Sequence, residues 1–359
     1  MRYDNEIFIN DRKISLETKT YFIADIASNH DGSLDRAKKL ICLSKESGAD
    51  AVKFQHFKAN KIVSDYGFKS LGKNIGHQSS WDKSVFEIYQ QYECSRDWND
   101  VLIATAKQVG INFLTTPYDL EAVEMFDNYL PAYKIGSGDI TWIDFIDAIA
   151  KKGKPVLLAT GASAQEDVVR AVDAVLKHNR QIILMQCNTN YTGTKETFHH
   201  INLNVLKSYW IQYPQMILGL SDHSPGHAAV LGGIALGARV IEKHFTDDNS
   251  RSGPDHAFSM NPDTWREMIE KSRELEFALG DGIKRIERNE TDTAIVQRRC
   301  LRLTKNMNPG EQLHKGDLEA LRPAPKGGLE PYHLKNVMGK TLVIAKKAGD
   351  AITINDIEE

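Results

Sequence analysis

No disulfide framework is written into this chain. Its four cysteines, Cys42, Cys94, Cys187 and Cys300, are scattered with no CxxC pair and read as free thiols of a reducing compartment. Nor does one sign of charge dominate. A formal net charge of −3 gives no argument for a nucleic-acid partner or for an anionic membrane surface. Long apolar runs are missing as well: the longest such stretch, 228–241, is interrupted by Arg239 and several glycines, so no membrane span is expected. The start, MRYDNEIF, is charged and lacks the apolar core of a signal peptide. A cytoplasmic location is therefore expected. Finally, no Gly-rich dinucleotide fingerprint follows any strand-like run.

What is present is an alternation. A lead-in hairpin is expected over 1–18, turning at Asn10-Asp11. Short apolar or β-branched runs then recur at 21–27, 51–57, 111–116, 132–137, 155–160, 182–187, 217–221 and 240–244, as buried parallel strands should. Amphipathic segments at 34–47, 97–109, 142–151, 164–178, 204–209, 227–236 and 262–279 lie between or after them. Eight strand–helix pairs in about 250 residues predict a (β/α)8 TIM barrel; a doubly wound sheet is the alternative. The barrel domain is expected over 1–282. An insertion over 58–82, with Gly67, Gly72 and Gly76, reads either as a lid or as a surface loop.

A barrel of this type carries its active site at the C-terminal ends of its strands. Those ends hold Asp25, Asn29 and His30; Lys53 and Gln55; Thr115 and Thr116; Lys134, Ser137 and Asp139; Thr160; Gln186, Asn188 and Thr189; Asp222 and His223; and Glu242, Lys243 and His244. Polar groups thus collect on one rim. His223 and His244 each follow an apolar run, so both imidazoles emerge together, and neutral imidazole is a common ligand for a divalent metal. A lone histidine there would simply satisfy a strand end; the acids and Lys243 around both favour the metal reading. Burying the ammonium groups of Lys53 and Lys134 costs several kcal/mol unless anions meet them. Salt bridges to Asp25 or Asp139 would do this, and so would a small phosphorylated, carboxylated substrate.

Past Gly280-Asp281-Gly282 comes a polar stretch, 283–293, expected to be a linker. Residues 294–359 change character, with short alternating runs and turns at 308–310, 326–328 and 348–350. About sixty residues make a marginal core, so this module is expected to dock on another surface. Within it the prolines of LRPAPKGG (321–328) hold Arg322 on a constrained loop.

The fragments FIADIASNHDGSLDRA, SGADAVKFQ, AYKIGSGD, GLSDHS, ARVIEKHFT and GPDHAFSM, in this order, resemble the barrel of the bacterial sialic acid synthase family. QRRCLRLTKNMNPGEQLHKGDLEALRP resembles the entry to that family's small, mainly-β SAF (antifreeze-like, β-clip) domain. The resemblance covers nearly the whole chain. It implies condensation of phosphoenolpyruvate with an acetamido hexose to a nonulosonic acid, with a divalent metal, manganese before magnesium or cobalt, on His223 and His244. Lys53, Thr116, Lys134, Ser137 and Ser221 would hold phosphoenolpyruvate. Gln55, Tyr191, Asp255 and Arg322 would face the sugar, and Asp25 and then Asp139 would move protons. It also implies a homodimer with exchanged C-terminal domains, each Arg322 serving the partner barrel.

Some positions depart from the family pattern. Asp25 and Asp139 stand where glutamate is common, one methylene longer. Ala159 replaces a phosphate-binding serine, leaving Thr160 as the substitute. In QCNTNYTGTKETF (186–198) Gln186 replaces a histidine, so Asn188 or Thr189 would supply the amide-like contact. Two rival readings are a shorter-chain ulosonate synthase and a carbohydrate- or ice-binding protein on an inactive barrel.

Overall fold

The computed structural model describes residues 2–72 and 75–358. By contacts the chain divides into two units, Met1–Gly280 and Asp281–Glu359.

The first unit opens with a hairpin of β1 (Glu6–Ile9) and β2 (Arg12–Ser15), paired antiparallel. Eight parallel strands follow: β3 (Tyr21–Asp25), β4 (Ala51–His56), β5 (Asn112–Pro117), β6 (Tyr133–Ile135), β7 (Val156–Ala159), β8 (Ile182–Cys187), β9 (Ile217–Asp222) and β10 (Ala238–His244). Their order is β5-β4-β3-β10-β9-β8-β7-β6. β5 and β6, the two ends of that order, lie alongside each other, so the sheet is a near-closed (β/α)8 barrel.

Strand side chains alternate between two apolar clusters, which fixes the faces of every strand. Phe22 and Ala24, Val52 and Phe54, Tyr133 and Ile135, Leu218 and Leu220 belong to the large core under the helices. Tyr21 and Ile23, Ala51, Leu114, Leu157, Ile183 and Met185, Ile217 and Val240 point inward. Ile7, Ile9 and Ile14 of the hairpin join that inner cluster and fill the N-terminal end of the barrel. Each fully buried side chain of this kind stabilises by roughly 1.5–3 kcal/mol. Space inside is tight: a Cβ on Gly219 would stand 2.8 Å from Met185 Cγ and from the Val240 carbonyl oxygen. Apolar layers pack the base of the barrel.

Helices cover the outside. Leu34–Glu46 starts at Ser33, whose hydroxyl accepts the Arg36 N–H, and the chain leaves it through Gly48 at φ +91°. Pro262–Leu279 is capped by Asn261 and begins with its proline. A helix at Leu120–Phe126, between β5 and β6, was not expected; it is seven residues long and buries only Ala122, Val123 and Phe126. The insertion after β4 forms short helices, Ala59–Ile62 and Asp65–Ser70, followed by Val85–Gln91; residues 73 and 74 lie outside the described residues.

The second unit contains two small antiparallel pairs, β11 (Cys300–Leu303) with β12 (Leu318–Leu321) and β13 (Thr341–Leu342) with β14 (Ile357–Glu358). Leu301, Leu303, Met307, Leu313, Leu318, Val337, Leu342 and Ile352 form its core. Part of the expected linker is ordered differently: a helix, Thr291–Gln297, crosses its far end. Among the described residues no helix is long and apolar enough to cross a membrane.

Candidate active site

The inward face of most strands turns polar in its last one or two positions, while that of β7 ends on Ala159. Continuing the alternation, Tyr21 and Ile23 lead to Asp25; Ala51 to Lys53 and Gln55; Leu114 to Thr116; Ile217 and Gly219 to Ser221; and Val240 to Glu242 and His244. These side chains line a cavity of about 410 Å³ together with Ser28, Lys134, Ser137, Asp139, Cys187, Tyr191, His223 and Asp255. Twelve of the residues expected from the sequence therefore meet here: Asp25, Lys53, Gln55, Thr116, Lys134, Ser137, Asp139, Tyr191, Ser221, His223, His244 and Asp255.

Two buried ion pairs form its floor. Lys53 Nζ donates to Asp25 Oδ2 at 2.8 Å and to Thr116 Oγ1 at 3.1 Å. Gln55 Nε2 donates to the same Asp25 oxygen at 2.9 Å, and the Ala27 N–H to its other oxygen at 3.0 Å. Lys134 Nζ donates to Glu242 Oε1 at 2.9 Å, with Ser221 Oγ at 3.3 Å and Lys53 Nζ at 3.8 Å from that oxygen. Of the two acids weighed as counter-charges for the lysines, Asp25 does pair with Lys53, whereas Lys134 pairs with Glu242, which was not weighed. Glu242 follows from the period of two, counted back from His244.

Electrostatics separates the acids. Burial raises the Asp25 carboxyl, but the Lys53 ammonium and the His244 ring beside it prevail, lowering it to about 2. Burial lowers the Lys53 ammonium, and Asp25 and Glu242 overturn that and raise it. Asp139 has no such partner, and burial lifts it to about 6. Burial holds the His244 imidazole below its usual value, so it is neutral near pH 7. Tyr118 and Tyr191 are raised well above theirs by burial and remain protonated donors.

The two imidazoles lie with ring centroids 5.3 Å apart. His223 Nδ1 is 2.9 Å from the Asn188 carbonyl, an acceptor, so Nδ1 carries a proton and the neutral ring has its lone pair on Nε2; burial lowers this imidazole, but Cys187 and the Asn188 carbonyl raise it above its usual value. His244 Nδ1 is buried without a hydrogen-bond partner, as are Glu242 Oε2 and Asp139 Oδ2. Among the described residues no group of three or more His, Cys, Asp or Glu stands ready to hold an ion. The pair fits a divalent metal as a two-ligand set, one ring fixed in the right tautomer and the other with an orphaned nitrogen.

Three expected residues are placed otherwise. Thr160 follows Ala159 by one position and so faces outward; its hydroxyl donates to the Met185 carbonyl at 3.0 Å and accepts from Tyr209 at 2.9 Å. Asn188 does not line the cavity: its amide donates to the His200 carbonyl at 3.1 Å, and it reaches the site only through its own carbonyl. Thr189 likewise lies outside the lining. Gln186 faces outward, its amide on the Ile201 carbonyl, and Cys187 is the β8 residue that reaches the cavity. Arg322 belongs to the second unit.

The insertion after β4, read as either a lid or a surface loop, supplies a wall of the cavity, and the helix that follows it adds residues named in neither reading. Phe57, Ile62, Trp81, Ile88, Tyr89 and Tyr92 line the cavity, with Tyr118 and Pro254. Phe57 packs on Tyr89 and Tyr118, ring centroids 5.2 and 6.0 Å apart.

Comparison with known proteins gives the same direction. The NeuB family model matches residues 40–284, and the SAF domain model matches 298–358. The chain is 35% identical to an N,N'-diacetyllegionaminic acid synthase of Campylobacter jejuni, over 90% of this chain and 95% of that one. It is 30% identical to the N-acetylneuraminate-9-phosphate synthase of Homo sapiens, over 92% and 91% respectively. An N-acetylneuraminic acid (sialic acid) synthetase from Leptospira borgpetersenii superposes with a TM-score of 0.70 at 25% identity, covering 81% of this chain and 95% of that chain.

Proposed function

Because this chain belongs to the NeuB family, we propose that it condenses phosphoenolpyruvate with an open-chain 2-acetamido-type hexose, giving a nine-carbon nonulosonic acid and phosphate. The chain is an enzyme of the sialic acid synthase type. The observation that carries the finer reading is the meeting of two buried lysine–carboxylate pairs with two imidazoles on one rim. Few tasks other than holding a small polyanion would justify two buried ammonium groups there.

In this reading Lys53 and Lys134 hold the phosphate and carboxylate of phosphoenolpyruvate, with the hydroxyls of Thr116, Ser137 and Ser221 as donors. Gln55, Tyr191 and Asp255 face the sugar. A carbon–carbon bond forms between the methylene of phosphoenolpyruvate and the aldehyde carbon, and the aldehyde oxygen takes a proton. Positive charge grows at the enol carbon, where Asp25, held ionised by Lys53, stabilises it. Water adds at that carbon, the carbon–oxygen bond to phosphate breaks, and phosphate leaves. Asp139, at about 6, suits proton transfer near neutral pH far better than Asp25 at about 2, the reverse of their order in the sequence reading. His223 and His244 would hold a divalent ion, manganese here with magnesium or cobalt as alternatives, which supplies Lewis-acid polarisation of a carbonyl oxygen.

The active assembly in this reading is a homodimer whose C-terminal units are exchanged, each Arg322 serving the sugar end of the other chain's barrel. Support comes from the small core of that unit and from its exposed apolar side chains Tyr332, Ile344 and Ile354. Co-expressing His223→Ala with Arg322→Ala chains tests it: exchange returns about a quarter of wild-type activity under random two-fold pairing, and no return overturns it. A cytoplasmic location belongs to the same reading, since phosphoenolpyruvate is made there.

The function itself is tested by release of phosphate from phosphoenolpyruvate. The expected result is release that requires an acetamido hexose and yields a keto acid three carbons longer than that hexose. Release indifferent to the hexose, or a product of another length, would overturn it.

A further inference from the structure

One buried ion pair has no part in the steps above. Lys243 and Asp222 point away from the cavity, in alternation with Glu242 and Ser221, and their side chains are 1% and 2% exposed. Lys243 Nζ donates to Asp222 Oδ2 at 2.6 Å and to the Ser224 carbonyl at 2.6 Å. Asp222 in turn accepts the Ser224 N–H on Oδ1 and the Ser224 hydroxyl on Oδ2, each at 3.0 Å. The turn Asp222-His223-Ser224 is thereby closed on itself and fastened to β10. Each partner of the pair precedes one of the two imidazoles, Asp222 before His223 and Lys243 before His244.

The β9–β10 ladder ends where this pair stands. Its last register partners are Lys243 and Asp222, and His244 pairs onward with Asp25 of β3. Among the described residues no strand pairing joins the two histidines to each other. His223 is steadied by the Asn188 carbonyl at 2.9 Å. His244 Nδ1 has no hydrogen-bond partner, and its ring rests on Phe258 with centroids 4.9 Å apart. The 5.3 Å between the imidazoles is therefore set by the backbone of two strand ends, and the ion pair ties those ends together. Burying two charges only to stabilise a sheet is a weak device, since apolar groups of like volume do as well or better. A fixed spacing is what a metal site with few protein ligands needs.

We infer that Lys243, Asp222 and Ser224 are positioning residues that hold His223 and His244 at the spacing a divalent ion requires. This rests on the proposed metal role of the two histidines and adds the residues that fix their geometry. None of the three lines the cavity.

The test titrates the full chain with manganese alone and reads free Mn2+ by electron paramagnetic resonance, below every melting temperature. Thermal unfolding of the metal-free protein is measured beside it. Asp222→Asn and Lys243→Met are each expected to lower the melting temperature, because one charge is left buried and unpaired, and to loosen Mn2+ at least about tenfold. The deciding variant is the double, Asp222→Asn with Lys243→Met, which strands no charge and is expected to regain most of the lost stability. Its Mn2+ binding should stay at least about tenfold weaker than wild type, because the strand ends are no longer tied. Wild-type Mn2+ affinity in the double would show the pair to be structural only and overturn the inference, leaving the metal site standing. Wild-type protein that binds no Mn2+, or binds it equally after His223→Ala, would bring down the metal reading and the inference with it.

Discussion

Replace Glu242 by glutamine, and Lys134 keeps its place but loses its counter-charge. Lys134 and Glu242 are 4% and 5% exposed, so water screens neither. Removing one partner of such a pair costs about 3–5 kcal/mol, and the retained amide oxygen, still able to accept the 2.9 Å bond, argues for the lower figure. At about 2–4 °C per kcal/mol for a domain near this size, the ligand-free melting temperature should fall by roughly 6–12 °C. Phosphoenolpyruvate should then restore more stability to the variant than to the wild type, because its charge replaces the one removed. Recovery of about half the loss corresponds to roughly tenfold tighter binding. Thermal unfolding with and without phosphoenolpyruvate measures both quantities. An unchanged melting temperature together with unchanged affinity would refute the view that Lys134 is an anion-binding group held ready by Glu242.

Three further outcomes follow from named contacts. Thr160→Val should cost about 1–3 kcal/mol by leaving the Tyr209 hydroxyl unpaired, with KM for phosphoenolpyruvate unchanged, while Ser137→Ala should raise that KM; the opposite pattern would put Thr160 in the site. Burial holds His30 at about 4 and His56 at about 3, both below the usual 6.5, so each is neutral when folded. Their stabilisation is complete above pH 6.5 and is lost as pH falls toward 4, by up to about 3 kcal/mol for each, and His56→Gln should flatten that part of a stability-against-pH curve; an unchanged slope would contradict it. Chelation, His223→Ala or His244→Ala should each lower turnover about a hundredfold or more, and full activity in the chelated protein would remove the metal from the account.

The barrel was legible because its strands are apolar on both faces and bounded by polar residues, so eight short runs could be counted. Asp25, Lys53, His223 and His244 stood out because charged or ligating groups at strand ends need a reason. Which neighbour faces inward was harder. Thr160 and Ala159 differ by one position, and only the pairing of β7 with β8 shows that Ala159 takes the inward place. Glu242 was visible two residues before His244, but its partnership with Lys134 spans 108 residues and depends on closure of the barrel. The wall of Ile62, Ile88, Tyr89 and Tyr92 carries no motif. Its members come from short helices inside an insertion, where neither a hydrophobic period nor a cap announces which side chains face the cavity.

The central claim is that phosphoenolpyruvate reacts here at carbon, with its lysine-held phosphate leaving as a whole. Phosphoenolpyruvate labelled with heavy oxygen in the bridge between carbon and phosphorus tests this directly. The account predicts that the label leaves in inorganic phosphate. Label kept in the keto acid would mean that the phosphorus–oxygen bond broke, and would contradict it.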